Sequence, residues 1–191
     1  MELGRSLPAR DLVICWPGRK ATRERDMDSI AVIEDLFSRG EEAIKMIDDL
    51  STDALHASPA PSIAWQVWRM GRSVDYNISP LLGQSQLWID GGWHQQFGMA
   101  ADPKDFQPGF PPPGDIVSTF RAPSAELLVD YLRATLGLVR EYLSTLTAVD
   151  LETEIDAGRY PYPVSIGVRL VSVGVSLSQS AGVIRYRLWM N

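Results

Sequence analysis

One cysteine (Cys15) and two histidines (His56 and His94) are all that this 191-residue chain has of thiol and imidazole metal ligands. A lone cysteine excludes a disulfide within the chain, and a zinc or iron–sulfur centre built on a Cys cluster is excluded with it. Two histidines exclude a three-histidine site in one chain, and neither has a second His three or four residues away. A mixed site using Asp75, Asp90 or a histidine stays open. Positive charge is also short. Eighteen basic against twenty-four acidic side chains leave a net charge of −6, which phosphate backbones repel, so no nucleic-acid partner is expected. No apolar run approaches the roughly 18–20 residues that cross a bilayer. The longest, Leu12-Val13-Ile14-Cys15-Trp16, follows Arg5 and Arg10 as in a signal peptide. It ends on Pro17-Gly18-Arg19-Lys20 without a small-residue cleavage site, so a cytoplasmic chain with no membrane partner is expected. Gly-x-Gly-x-x-Gly, the phosphate-binding P-loop and the Gly-x-Ser-x-Gly elbow are all absent, which removes dinucleotide, nucleoside-triphosphate and serine-hydrolase chemistry as defaults.

What is there is globular: 45% hydrophobic and 22% charged residues, enough for one domain with its own core. Residues 1–26 lack helical periodicity and crowd their charge into Arg19–Arg25, which reads as an N-terminal extension. The domain itself runs over 27–191. From Asp28, apolar residues at Ile30, Ile33, Phe37, Ile44 and Ile47 recur at helical spacing. Ser62 caps a second pattern, Ile63, Val67, Met70, Val74, Ile78 and Leu81, near whose end Pro80 should kink or stop the helix. Residues 83–122 form a long irregular connection that holds a short helix and wraps a site or an interface. Ser124 opens a third helix on Leu127, Tyr131, Leu138 and Tyr142. Ser165 opens a fourth on Ile166, Leu170, Val173, Leu177, Ala181, Ile184 and Leu188. Four one-sided helices bury those faces as an all-α four-helix bundle, with the long crossover between the second and third.

Two polar stripes accompany the apolar ones. Ser62, Gln66, Arg69, Ser73 and Asn77 share one face of the second helix, and Arg169, Ser172, Ser176 and Ser180 share one face of the fourth. Neither contains Lys or Glu, the usual residues of a solvated face. Two readings are open: hydrogen-bonded packing of close helices, or the wall of a polar ligand cleft. Trp65, Trp68, Trp88 and Trp93 fall within thirty residues, as an aromatic core or an apolar pocket wall. His94 reads as a loop hydrogen-bonder. Cys15, in an apolar run with no histidine near it, reads as a packed thiol rather than a nucleophile. The adjacent pairs Glu41-Glu42 and Asp48-Asp49 read as solvated charge.

Three segments carry a family likeness. Ser62-Ile63-Ala64-Trp65-Gln66-Val67-Trp68-Arg69-Met70 with Asp75, the loop Asp90-Gly91-Gly92-Trp93 with Phe97-Gly98, and Val164–Val173 followed by Gln179-Ser180-Ala181-Gly182 resemble the DinB/YfiT-like proteins, over about 27–191. The resemblance implies an up-down-down-up four-helix bundle, a homodimer, and a divalent metal such as zinc or nickel held by histidines. It also implies thiol S-transferase activity of the bacillithiol or mycothiol kind, or a metal-dependent hydrolase. Carried over residue by residue, the second-helix histidine falls on Arg69, the last-helix pair on Ser176 and Ser180, and a further histidine on Asn77. A guanidinium repels a cation and serine hydroxyls are feeble ligands, so a degenerate, metal-free site is expected. The expected pocket is Arg69, Asn77, Ser176 and Ser180 with Arg169, and the expected ligand a small anion. A metal-dependent transferase or hydrolase with an unconventional site is the alternative.

Overall fold

The computed structural model describes residues 28–57, 61–101, 114–155 and 161–190. The N-terminal extension, Cys15 and the basic stretch Arg19–Arg25 lie outside the described residues. Four long helices dominate: α1 (Ser29–Ile47), α3 (Ile63–Ile78), α7 (Ala125–Ser144) and α8 (Ile166–Met190). Short helices fill the connections: α2 (Thr52–Ala57), α4 (Leu87–Asp90), α5 (Trp93–Gln96) and α6 (Gly114–Thr119). Two 3₁₀ turns, Ser79–Leu82 and Asp150–Glu152, and a two-stranded antiparallel ladder, β1 (Glu154–Ile155) with β2 (Val164–Ser165), complete it. The chain is therefore all-α apart from this small ladder, which the sequence pattern does not announce.

The starts follow from side-chain capping of otherwise orphaned amides. Asp28 accepts from the Ile30 amide at 3.0 Å, Ser62 from Trp65 at 3.2 Å, and Ser124 from Leu127 at 3.1 Å. Ser165 accepts from Val168 at 3.3 Å. Pro80 ends α3 by converting its last turn to 3₁₀ form. Around one core, α1 packs on α7 and α8, and α3 packs on the same two, so the sequence-adjacent α1 and α3 stand diagonally opposite. The anticipated stripes form this core: Ile33, Phe37, Val67, Val74, Leu132, Leu170, Leu177 and Ile184 are all buried.

Close crossings are made at glycines. A Cβ at Gly174 would stand 2.7 Å from the Leu36 Cβ, and one at Gly71 2.8 Å from the Tyr131 ring. The α1–α7 and α1–α8 seams are laced on the outside by ion pairs: Arg140 with Glu41, and Arg185 with Glu42 at 3.1 Å. The Glu41-Glu42 pair is thus half-buried and bonded across helices, rather than merely solvated.

As a single 25-residue helix with mean hydropathy 1.2 over its most apolar window, α8 is long and apolar enough to cross a membrane by length and composition, and 44% of that window is buried inside the bundle. The inner face of α8 is core, and its outer face leaves Val168, Val171, Val175 and Trp189 in solvent.

Gly174→Ala is expected to lower stability by about 1–3 kcal/mol, the usual cost of overpacking, measured by urea unfolding. An unchanged midpoint would mean that α1 and α8 are not in the close contact described.

Candidate functional site

Helices α3 and α8 pack on each other, and each carries one of the two polar stripes. On α3, Ser62, Gln66, Ser73 and Asn77 are buried and Arg69 is half-buried. On α8, Arg169 and Ser180 are buried and Ser176 is half-buried, whereas Ser172 turns out to solvent and leaves the stripe. Asn77 donates through Nδ2 to the Ser73 carbonyl at 2.7 Å, which fixes its Oδ1 toward α8. There Arg169 Nη1 donates to it across a long 3.5 Å. The fold thus brings Arg169 and Asn77 together. Among the described residues, no side-chain hydrogen bond ties Arg69, Ser176 or Ser180 to another residue. Arg169 is only 6% exposed, and a guanidinium so far from water needs bonded partners; Arg169 interacts within the fold with more than Asn77.

The metal implied by the family resemblance does not fit these side chains. The matching positions carry a cation and two neutral hydroxyls, and the Asn77 carbonyl oxygen is already turned to a guanidinium. Among the described residues no three His, Cys, Asp or Glu side chains are grouped to hold a metal ion, so the mixed site through Asp75, Asp90 or a histidine is not formed there.

A second polar constellation, one turn away on α3, escaped the sequence reading. Arg72 and Asp75 are both wholly buried, with Arg72 Nη1 3.8 Å from Asp75 Oδ2. The Asp75 carboxylate accepts four hydrogen bonds. Ser79 Oγ and the Leu87 amide donate to Oδ1, each at 2.8 Å. The Trp88 amide at 2.7 Å and the Tyr131 hydroxyl at 2.9 Å donate to Oδ2. Helix α4 has no side-chain cap of its own, so Asp75 satisfies its first amides from another helix. Its N-cap residue, Gln86, instead takes Arg72 Nη1 on Oε1 at 2.9 Å. Arg72 also lies 4.6 Å from the centre of the Trp88 ring, within cation–π range. Burial, and then the Asp75 charge, hold the Tyr131 hydroxyl well above its ordinary pKa, so it stays protonated and donating. One signal was available in the sequence: Arg72, Asp75 and Ser79, spaced three and four apart on a helix between apolar positions.

The aromatic residues form core rather than a pocket wall. Trp65, Trp68, Trp88 and Phe120 are buried and stack edge-on or tilted, with centroids 4.9–5.8 Å apart for Trp65–Trp68 and Trp68–Trp88. His94 bonds in its loop as expected, its Nδ1 donating to the Trp88 carbonyl at 2.9 Å. His56 Nε2 accepts from the Ala122 amide at 3.2 Å and so ties α2 to the segment before α7. Burial is the main cause that lowers the His56 pKa from its ordinary 6.5; Arg121 adds to it and Asp53 opposes it.

Two cavities bordered by described residues lie away from the seam. One of about 420 Å³ is lined by Ile47, Asp48, Ala125, Glu126, Val129, Asp130 and Arg133, and its acidic rim disfavours an anion. One of about 120 Å³ lies between α1 and α7.

The fold and its seam therefore define an all-α protein of four long helices with a buried polar contact between the second and the last of them. This chain is similar to the crystal structure of a conserved protein from Enterococcus faecalis, with a TM-score of 0.72 and 25% identity over 84% of this chain and 95% of that one. No family model and no curated protein matches it.

Asp75→Asn replaces an acceptor of four bonds by a group that is half donor, and leaves Arg72 buried without its anion. The expected loss is about 3–5 kcal/mol in denaturant unfolding. Adding Arg72→Met should recover part of it, and strict additivity would show that the pair is not coupled. For His56, the folded chain resists the proton that the unfolded chain accepts, so its contribution is complete above pH 6.5 and is lost as pH falls below that. Stability should fall more steeply with acid in the wild type than in His56→Gln; parallel curves would contradict this.

Proposed function

We propose that the chain is a DinB/YfiT-like four-helix bundle of up-down-down-up order, whose metal site has become a binding site for a small anion. The observation that carries this reading is Arg169, buried on α8 and facing Asn77 of α3 across the seam where the resembling family holds its metal. Arg69, on the same stripe as Asn77, is half-buried and among the described residues has neither an ion pair nor a hydrogen bond from its side chain. Two guanidiniums on facing helices, beside the neutral hydroxyls of Ser176 and Ser180, suit a carboxylate or an oxyanion rather than a cation. The arrangement supports binding. It offers no nucleophile with a base within reach: neither His56 nor His94 bonds into this seam, and Asp75 is fully occupied. The similarity to the Enterococcus faecalis protein covers most of both chains and agrees with a shared helical frame; its description states no activity.

The alternative, a metal-dependent thiol S-transferase or hydrolase, rests on the family resemblance alone, and the donor set at the matching positions opposes it.

The test uses untagged protein. Metal analysis and native mass spectrometry should find no stoichiometric divalent ion. A sulfate titration followed by amide chemical shifts should move residues of α3 and α8 around Asn77 and Arg169. Arg69→Ala should weaken that binding by about tenfold or more, the usual cost of removing one charged partner of an anion. A stoichiometric zinc, nickel or iron would favour the alternative. Unchanged sulfate affinity in Arg69→Ala would remove the anion site.

A further inference from the structure

Between α6 and α7 the chain runs as a short irregular strap, Phe120–Ser124, that closes one side of the aromatic core. Phe120 and Ala122 are buried, and the Phe120 ring stands 5.6 Å from Trp65 and 5.1 Å from Trp68, centre to centre. Two hydrogen bonds tie this region to α2, a helix 66 and 73 residues earlier. The Ala122 amide donates to His56 Nε2 at 3.2 Å, and the Ala125 amide to Thr52 Oγ1 at 3.0 Å. The His56 ring also faces the Phe120 ring, with centroids 6.4 Å apart.

The first of these bonds fixes the state of the ring. A nitrogen that accepts carries no proton, so neutral His56 holds its one ring proton on Nδ1. That Nδ1 is buried and meets no acceptor among the described residues. A second proton would turn Nε2 into a donor aimed at another donor, and would leave a charged ring with neither N–H bonded. The Ala122 amide would lose its acceptor in the same event. Of the charges around the ring, Arg121 on the strap opposes the added proton and Asp53 on α2 favours it. Helix α3, on which α2 packs, carries no charged residue from Ile63 to Trp68, and Glu126 of α7 lies at the cavity beside Asp48.

We propose that His56 is an acid-released latch: protonation of its ring unhooks α2 from the strap and opens the side of the aromatic core that Phe120 closes. Burial makes the latched ring resist a proton that the open ring takes up at its ordinary 6.5. The latch is therefore complete above that pH, and opening is favoured as pH falls below it. The release is local. The four long helices pack on one another directly, and the packing of α2 is on α3. Only the Thr52 bond, which does not titrate, then holds the start of α7 to α2.

Amide hydrogen exchange of the full chain tests this, read as protection factors between about pH 8 and about pH 5, the range over which a histidine changes charge. Protection of the Ala122 amide should fall roughly threefold or more toward acid, while Val74 in α3 and Leu132 in α7 keep theirs. His56→Gln keeps an acceptor for the Ala122 amide and cannot titrate, so its Ala122 protection should not change over the range. His56→Lys has a fixed charge and no acceptor, and should leave Ala122 unprotected throughout, with Val74 and Leu132 protected as in the wild type. Ala122 protection that does not change with pH in the wild type overturns the proposal. So does a loss shared equally by Val74 and Leu132, which would be acid unfolding of the whole bundle. The same fall in His56→Gln would assign the effect to another group and overturns it too. Arg69→Ala should leave the profile unchanged, so the latch and the anion site fail separately.

Discussion

A single buried carboxylate organises the irregular half of this fold. Asp75 is removed from water in the last turn but one of α3, and its charge is sustained by four donors and a guanidinium. An ionised group in that position costs several kcal/mol unless its lone pairs are filled, and here they are filled from three directions. Ser79 belongs to the 3₁₀ turn that ends α3, Leu87 and Trp88 to the first turn of α4, and Tyr131 to the middle of α7. The connection after α3 has little regular structure with which to bury itself. Its position is set by handing its first free amides to a residue of the bundle, and by pressing Trp88 between Arg72, Trp68 and Tyr131.

This constraint separates the two arginines of α3. Arg72 and Arg69 are three residues apart, close enough in sequence to be exchanged in a reading by eye. Arg72 is closed off from solvent and holds Gln86, Trp88 and Asp75 together. Arg69 lies on the polar stripe of α3, half-exposed. Asp75 spends its lone pairs on its own network rather than on the seam. The Gly71 contact is part of the same arrangement: the Tyr131 ring packs where a Cβ would be, and that proximity carries its hydroxyl to Asp75.

The long helices and their starts were legible because they obey local rules. Apolar residues at three- and four-residue spacing mark a buried face wherever it will pack, and Ser62, Ser124 and Ser165 cap helices whose first turns follow directly. The partners of Asp75 were not legible in the same way. They lie 12, 13 and 56 residues away, and the helix that supplies two of them has four residues, too short for any period to show. The β1–β2 ladder is shorter still. The seam was half legible: helical spacing placed Asn77 and Arg169 on facing stripes, but it also placed Ser172 there, which the phase of α8 turns to solvent.

The measurement that bears most directly on this account is amide hydrogen exchange at Leu87 and Trp88. Both lie in a four-residue helix that would fray within milliseconds by itself, so their protection reports the carboxylate that holds them. The account predicts exchange as slow as that of the buried interior of α3, at Trp68 and Val74. Exchange at Leu87 and Trp88 as fast as at the exposed Ser85 would contradict it, and the irregular half of the fold would then need another anchor.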